Sequence, residues 1–309
     1  MAESTIAART APVAQEATVA TTSLPPRKVN FFRVFTYALL SVMAVIYIAP
    51  FVWMVAKSFM NPVEANTSAL IPSQLHPENY VTALTDNNFG QYFMNTVWLE
   101  VLTVGGQTVV SVLAAYAFAR MKFPGRDLLF ALFLMTIFVP STVVLVPNLV
   151  LVTNISRAFE AIHPSLKWMN NWPALVVPFL ANTFSIFLLR QFFRQIPDDL
   201  WDAARIDGAG HLRFLVQIVV PISRAAVIST VLFAFIGTWS ALEWPILVTA
   251  DNSWRPISVA LQQFRSSDAS DQTHLLMAAS VIALLPVLLL YFVAQKQFTE
   301  GIATTGLKG

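Results

Sequence analysis

The sequence is dominated by apolar segments long enough to cross a lipid bilayer. A transmembrane helix needs about 20 apolar residues to span a hydrocarbon core about 30 Å thick. Only 12% of the residues are charged and 56% are hydrophobic, whereas about a quarter of a soluble domain is charged. The sequence therefore predicts an all-α membrane protein with six transmembrane helices. Their approximate bounds are 35–55, 94–119, 128–149, 172–189, 225–248 and 275–294.

The distribution of basic residues predicts how these helices are oriented. Lysine and arginine collect in the cytoplasmic loops of membrane proteins. If the N-terminus is cytoplasmic, fourteen of the nineteen lysines and arginines lie on the cytoplasmic side and five lie outside. Removing one helix would mix the two groups, so the pattern predicts six spans with both termini in the cytoplasm. The long outer loops, about 61–93 and 251–273, are expected to hold short helices.

The chain divides into a short N-terminal tail and one membrane domain. Residues 1–29 are rich in Ala, Thr, Ser and Pro and contain no apolar run or clear cleavage site. This composition predicts a disordered cytoplasmic tail rather than a signal peptide. Residues 30–309 then form the transmembrane domain. The chain has no cysteine, and its four histidines are too widely spaced for a metal motif, so we expect no metal site and no catalytic thiol.

One polar stretch interrupts the apolar pattern between the fourth and fifth spans, at residues 196–223. Asp198 or Asp199 is a suitable N-cap for a helix that runs through Arg205. Gly208 stands where that helix must turn, since glycine takes a positive φ without steric cost. A second helix, closed by a proline, follows with an apolar stripe. The stripe and the proline are Phe214, Leu215, Ile218, Val219 and Pro221.

The pattern predicts a helix–turn–helix at the cytoplasmic face, and three interpretations of it remain open. It could lie on the lipid surface as an amphipathic helix, pack on the protein as a linker, or dock a cytoplasmic partner. Physical reasoning from the residues does not choose among them.

The order of residues in this stretch resembles a known family. "DAARIDGAGHLRFLVQIVVP", residues 202–221, is similar to the EAA loop of permease subunits in binding-protein-dependent ABC importers. That loop has E-A-A, two residues, D-G-A and later an apolar stripe that ends in proline. Asp202 stands where glutamate is usual, and Ala225 where a second proline is common. The matching positions are Asp202, Ala203, Ala204, Asp207, Gly208, Ala209 and Pro221.

Other segments resemble the carbohydrate branch of the same family. They are "AAYAFARMKFPGRDLLF" (114–130), "FVPSTVVLVPNLVLV" (138–152), "SIFLLRQFFRQIP" (185–197) and "GIATTGLKG" (301–309). The branch usually has Trp-Asn in the fifth span, where this chain has Trp239 and Ser240. The resemblance implies a MalG/MetI-like permease fold with six transmembrane helices and an EAA coupling loop, in a bacterial inner membrane.

The resemblance also implies a mechanism and a set of partners. The EAA loop would fit a cleft on a separate ATPase, so that ATPase closure tilts the membrane helices. The expected partners are a second, MalF-like permease, a dimer of ABC ATPase subunits, an external solute-binding protein and membrane lipid, with no nucleic acid. ATP and Mg²⁺ would be used by the ATPase, and this chain would bind no cofactor and catalyse no reaction. Its closest approach to a phosphate-binding loop, residues 301–308, has Leu307 before the lysine and lacks the required spacing.

Few acidic residues lie near the predicted spans, and these are candidates for the solute path. Ionisable groups within a bilayer are costly and are therefore functional candidates. Glu100 and Glu243 are the nearest two, although each could instead be a helix-end carboxylate in water. Trp239, Glu243 and Trp244 could bind a sugar through aromatic faces and a carboxylate. The tryptophans could equally lie at the membrane interface as anchors.

Two other classes of protein remain as alternatives. A secondary transporter would carry its own ion site and usually shows an internal repeat, and no repeat relates the first three spans to the last three. A membrane enzyme would need paired acids, metal-ligand spacing or a nucleophile motif, and the predicted spans contain none of these. A permease subunit of a sugar importer is thus the preferred interpretation.

Overall fold

A computed structural model of the protein describes residues 31–86, 88–266 and 272–305, so the predicted tail at residues 1–29 lies outside the described residues. The described residues form fifteen α-helices, joined in places by 3-10 or π-helical turns. In chain order they are α1 (Phe31–Ser58), α2 (Pro62–Ala65), α3 (Glu78–Asp86), α4 (Phe89–Arg120), α5 (Arg126–Met135), α6 (Ser141–Ile162), α7 (Trp172–Val176), α8 (Thr183–Arg194), α9 (Asp198–Ile206), α10 (His211–Phe214), α11 (Val220–Ile222), α12 (Arg224–Trp239), α13 (Glu243–Val248), α14 (Ile257–Ser266) and α15 (Thr273–Thr305).

Four of the described helices are long and apolar enough to cross a membrane, namely α1, α4, α6 and the Thr273–Gln295 part of α15. Two bent pairs also pass the same test, which gives up to six spans by length and composition. One pair joins Trp172–Phe179 to Thr183–Arg194 with a bend of 41°, and the other joins His211–Ile222 to Arg224–Trp239 with a bend of 84°. An all-α membrane fold is therefore confirmed, while the count of six spans and their orientation stay predictions.

The third predicted span was wrong in its bounds. Residues 128–149 do not form one helix, because α5 and a 3-10 turn end at Phe138 and α6 begins at Ser141. Pro140 lies in the break. A residue before proline is disfavoured in the helical conformation, and Val139 is extended, with φ −85° and ψ 115°. The apolar helix long enough to span is instead α6, which carries an internal proline at Pro147.

The fourth and fifth predicted spans each contain a break that hydropathy alone did not show. In the fourth, a 3-10 turn at Val177–Phe179 separates α7 from α8. Asn182 caps α8, because its Oδ1 accepts a hydrogen bond from the Ser185 N–H at 2.9 Å. In the fifth, α12 ends at Trp239 and α13 begins at Glu243. The short helices expected in the two outer loops are present as α2, α3 and α14.

Two units are distinguished along the chain, one ending at Ala49 within α1 and one beginning at Pro50. In the second unit, α4 is the central helix, and it packs against α8 and α12. Gly106 leaves room for the Leu180 side chain, which lies between α7 and α8, because a Cβ at Gly106 would lie 2.5 Å from the Leu180 Cδ2. Gly105 has no such neighbour within 4 Å. Of these two adjacent glycines, Gly106 is thus the one with a close neighbour.

Candidate translocation cavity and coupling hairpin

The polar stretch at residues 196–223 folds as a helical hairpin, which we call the coupling hairpin. Its first arm is α9, and its second arm stacks α10, a π-helical turn at Leu215–Val219 and α11 end to end. Gly208 takes a φ of +77° at the turn, which other residues reach only with strain. The Ala209 N–H donates to the Ala204 carbonyl at 2.8 Å and closes α9. The helix–turn–helix predicted from the sequence is therefore present.

The start of α9 differs from the prediction. Neither Asp198 nor Asp199 caps it, because Pro197 occupies the N-cap position and Asp198 is the first helical residue. Arg120, the last residue of α4, lies against this start. Its Nη1 donates to the Ile196 carbonyl at 2.8 Å and lies 3.1 Å from the Asp198 Oδ1. The beginning of the hairpin is thus joined directly to α4.

The inner face of the coupling hairpin packs on the membrane helices. Trp201 in α9 stacks on His211 in α10, with ring centroids 4.4 Å apart and planes inclined by 17°. His211 in turn shares a hydrogen bond of 2.8 Å between its Nδ1 and the Tyr116 hydroxyl of α4. Phe214 is fully buried in the same cluster, which includes residues of both α4 and α8 such as Leu189. The two arms therefore form one packed body with α4.

The outer face of the hairpin is exposed and mixes apolar with acidic side chains. Ile206 is 87% exposed and Leu212 is 67% exposed. Among the predicted coupling residues, Asp202, Ala203, Asp207, Gly208 and Pro221 are exposed, Ala209 is half-buried, and Ala204 is buried in the inner cluster. The linker interpretation explains only the inner face, so the outer face is left free for a partner or for lipid.

A cavity of about 460 Å³ lies between the helices. It adjoins the part of α4 that precedes the residues in contact with the coupling hairpin. One wall is formed by a row of polar residues on α4, which we call the polar stripe. Its members are spaced four, three, four and four residues apart, and all of them are buried. Helices α8, α12 and α13 close the cavity with polar and aromatic side chains. The stripe consists of Thr96, Glu100, Thr103, Gln107 and Ser111, of which the first four line the cavity. Facing residues are Phe179, Asn182, Phe184, Ser185, Phe233, Thr238 and Trp244.

Glu100 is the one carboxylate among the described residues that line the cavity. It lies within α4, is 5% exposed, and neither carboxylate oxygen has a hydrogen-bond partner among the described residues. The Thr103 hydroxyl also has no hydrogen-bond partner among the described residues. The Gln107 Nε2, in contrast, lies 3.3 Å from the Ser185 Oγ. The interpretation of Glu100 as a helix-end carboxylate in water is therefore wrong. The sequence analysis missed the other residues of this wall, although the polar spacing along an otherwise apolar helix is a signal that could have identified them.

The three residues proposed for solute contact are separated in the structure. Trp239 does not line the cavity. Its Nε1 donates to the Ala283 carbonyl at 3.1 Å, and its ring stacks on Phe235. Glu243 is exposed at the start of α13. Trp244 does line the cavity, and its Nε1 donates to a carbonyl of α7 at 2.8 Å. Whether any of the three binds solute stays a prediction.

A cavity with polar groups on its wall, bounded by α4, α8, α12 and α13 in a chain with several membrane-length helices, together with a packed helical hairpin at one end of α4, defines a transport permease rather than a simple membrane anchor. Comparison with known proteins agrees with this class. The family model described as "Binding-protein-dependent transport system inner membrane component" matches residues 107–303. The chain belongs to this family of binding-protein-dependent permeases, as the resemblance of the coupling hairpin and its flanking segments predicted.

Relatives that match most of the chain are also named as permease proteins of uptake or transport systems. The diacetylchitobiose uptake system permease protein NgcG of Streptomyces coelicolor is 30% identical over 88% of this chain and 88% of its own length. The trehalose/maltose transport system permease protein MalG of Thermococcus litoralis is 32% identical over 86% of this chain and 94% of its own. The sn-glycerol-3-phosphate transport system permease protein UgpE of Yersinia pestis is 33% identical over 69% of this chain and 73% of its own.

A solved structure shows the same fold. It is a chain of a bacterial ABC transporter involved in the import of the acidic polysaccharide alginate, with a TM-score of 0.75 and 21% sequence identity. The match covers 89% of this chain and 99% of that chain. The permease fold of this protein is thus that of an ABC importer subunit.

Proposed function

We propose that this chain is the permease subunit of an ATP-driven importer for a sugar or related solute, that it forms half of the translocation path, and that its coupling hairpin engages a separate ATPase. The observation that carries the proposal is the two-faced hairpin, whose inner face is packed on α4 and whose outer face is free. Relatives named for diacetylchitobiose and for trehalose and maltose support a sugar.

The way the hairpin is attached supports a mechanical role. Arg120 and Tyr116 hold it to the end of α4, and Glu100 lies on the same helix twenty residues earlier. At 1.5 Å per residue, the two ends of this connection are about 30 Å apart. A displacement of the hairpin by an ATPase would therefore move the polar stripe as part of one helix. Conformational coupling through a rigid helix of this kind needs no chemistry in the permease itself.

The proposal includes four partners and an orientation. A second permease subunit would complete the path, a pair of ATPase subunits would use ATP and Mg²⁺, and an external binding protein would deliver solute. A solved alginate ABC transporter in complex with a pentasaccharide-bound periplasmic protein supports the last of these by analogy of fold. The excess of basic residues on one side supports six spans in an inner membrane, with the hairpin and both termini in the cytoplasm.

Two substitutions at the turn test the coupling role. Asp207→Lys reverses the charge of an exposed side chain, and Gly208→Val imposes strain of about 1–2 kcal/mol where φ is +77°. Neither disturbs the inner cluster, so we expect the membrane helices to stay folded while the ATPase no longer co-isolates and uptake is lost. Glu160→Lys, a charge reversal at an exposed position of α6, is the matched control and should retain both.

Retention of the bound ATPase and of full uptake in both turn variants would refute coupling through this hairpin. The alternative, a secondary transporter, predicts a different result. In that case the purified chain alone would accumulate solute in vesicles that carry a proton or sodium gradient. The importer subunit should do so only with its partners and ATP.

A further inference from the structure

We propose that the cavity beside α4 is a binding site within this subunit for a neutral, polyhydroxylated solute, and that Glu100 is the residue that recognises it and excludes anionic solutes. This inference rests on the proposed transport function and adds a site, a solute class and a selectivity to it. The buried, unpartnered carboxylate and the cavity into which it opens are the two independent observations behind it.

The carboxylate lacks a partner that the chain could have supplied. Burying a charged or polar group without a hydrogen bond is costly, and buried charges in proteins are normally paired. Within the described part of the chain, no lysine, arginine or histidine lines the cavity. The Glu100 oxygens thus lack a cation as well as a hydrogen-bond donor among the described residues. A ligand with donor groups would satisfy them.

The remaining cavity wall suits hydroxyl groups on a ring. Thr103, Gln107, Asn182 and Thr238 supply neutral hydroxyl and amide groups on both sides of the space. Aromatic rings, including Trp244, supply apolar faces for the C–H surfaces of a sugar. The volume of about 460 Å³ lies in the range of about 300–1,000 Å³ that is usual for small-molecule sites. Polar groups in small number among apolar walls are typical of such sites.

The chemistry of the wall predicts which solutes are rejected. A neutral sugar donates hydroxyl hydrogens to the Glu100 oxygens and thereby stabilises the carboxylate form of this side chain, and hydrogen bonds to a carboxylate are among the stronger ones in proteins. A phosphate or a carboxylate of the solute has no such effect, because its negative charge disfavours the carboxylate form of Glu100. The described lining residues also offer no basic group to offset the charge of the anion, and an unpaired anion is costly in a water-poor cavity. The same residue therefore favours neutral solutes and disfavours anions.

The absence of cysteine from the whole sequence makes the site accessible to a direct test. A single thiol introduced as Thr238→Cys faces the cavity, and its rate of modification by a small maleimide reports occupancy in the assembled, purified transporter. Maltose, trehalose and diacetylchitobiose serve as neutral probes, sn-glycerol 3-phosphate as the anionic probe and glucosamine as the cationic probe. Glu160→Cys, at an exposed position away from the cavity, is the control thiol.

We expect at least one neutral sugar to slow modification of Thr238→Cys but not of Glu160→Cys, and the anionic probe to give no protection. Adding Glu100→Gln should raise the sugar concentration needed for protection about 10-fold to 100-fold, as expected for loss of hydrogen bonds to a charged group. The same change should reduce discrimination against the anion. Glutamine has nearly the same shape, and thermal unfolding of the double variant checks that it folds.

Several results would overturn the proposal. One is a Thr238→Cys thiol that the maleimide does not modify, and another is a modification rate that no neutral sugar changes. The others are protection that Glu100→Gln leaves unchanged and stronger protection by glucosamine than by the neutral sugars. Co-isolation of the ATPase is measured on the same samples. If the ATPase is present while protection is absent, the cavity proposal fails and the importer proposal stands. If protection is present while the ATPase does not co-isolate, the cavity proposal stands and the importer proposal fails.

Discussion

Replacing Arg120 with methionine should loosen the connection between the coupling hairpin and the central helix. The Arg120 side chain is 9% exposed, and its guanidinium donates to the Ile196 carbonyl at 2.8 Å and to the Pro197 carbonyl at 3.4 Å. It also lies 3.1 Å from Asp198, whose side chain is 88% exposed. Methionine keeps the apolar length of the side chain and removes all three contacts.

The size of the effect follows from these contacts. An ion pair with an exposed carboxylate contributes at most about 1 kcal/mol because water screens it. A hydrogen bond from a charged donor contributes about 1.5–3 kcal/mol, and the short bond to Ile196 is the main one. We therefore expect local opening at the start of α9 to become easier by about 2–3 kcal/mol. This corresponds to opening that is about 30-fold to 150-fold more frequent.

Hydrogen exchange measured by mass spectrometry on peptides from α9 reports this opening directly. Exchange should accelerate there and stay unchanged in α12, and the amount of solute moved per ATP hydrolysed should fall. Lys122→Met is the matched control, because Lys122 lines the same groove beside the hairpin but has no hydrogen bond to it within the described structure. If α9 exchanges at the wild-type rate in Arg120→Met, Arg120 does not stabilise the connection between the coupling hairpin and α4.

Three further predictions concern packing and pH. Trp244→Phe leaves a buried carbonyl of α7 without its donor and should lower the stability to thermal unfolding by about 1–3 kcal/mol; an unchanged midpoint would contradict this. Gly106→Val would place a Cβ 2.5 Å from the Leu180 Cδ2 and should cost about 1 kcal/mol, the low end for overpacking, because the end of the leucine side chain can rotate away; the matched Gly105→Val, which points into open space, should cost less in the same assay. Hydrogen bonds, chiefly from Ser253, hold the pKa of Asp251 below its ordinary value, so their stabilisation is present at neutral pH and is lost as acid protonates the carboxylate. Hydrogen exchange in this loop should therefore differ between wild type and Asp251→Asn at pH 7, and the difference should shrink as the pH falls below the ordinary range of an aspartate carboxyl.

Much of the chain could be predicted because local chemistry determines it. The first, second and sixth predicted spans correspond to α1, α4 and α15, since uninterrupted apolar runs of this length have few alternatives to a helix in lipid. The turn of the coupling hairpin was also predictable, since only glycine adopts the conformation at Gly208 without strain. The family resemblance depended on the same short stretch.

The breaks within the third, fourth and fifth predicted spans were less predictable. Proline is tolerated inside membrane helices when neighbours satisfy the freed backbone groups. Pro147 and Pro286 therefore lie within continuous helices, whereas Pro140 lies in a break. Hydropathy treats these prolines alike, because the difference comes from what packs around each one.

By itself, the sequence determined that this protein is a helical membrane protein with a two-armed hairpin, because length, apolarity and glycine geometry act within one segment; the permease class came from the resemblance of that hairpin and its flanking segments to a known family. Only the tertiary structure decided that Glu100, rather than Glu243, faces an enclosed cavity. The polar stripe distinguishes one face of α4, but whether that face becomes the wall of a cavity depends on α8 and α12, which follow much later in the chain. The pairing of a polar stripe with those helices is a property of packing, and no single segment contains it.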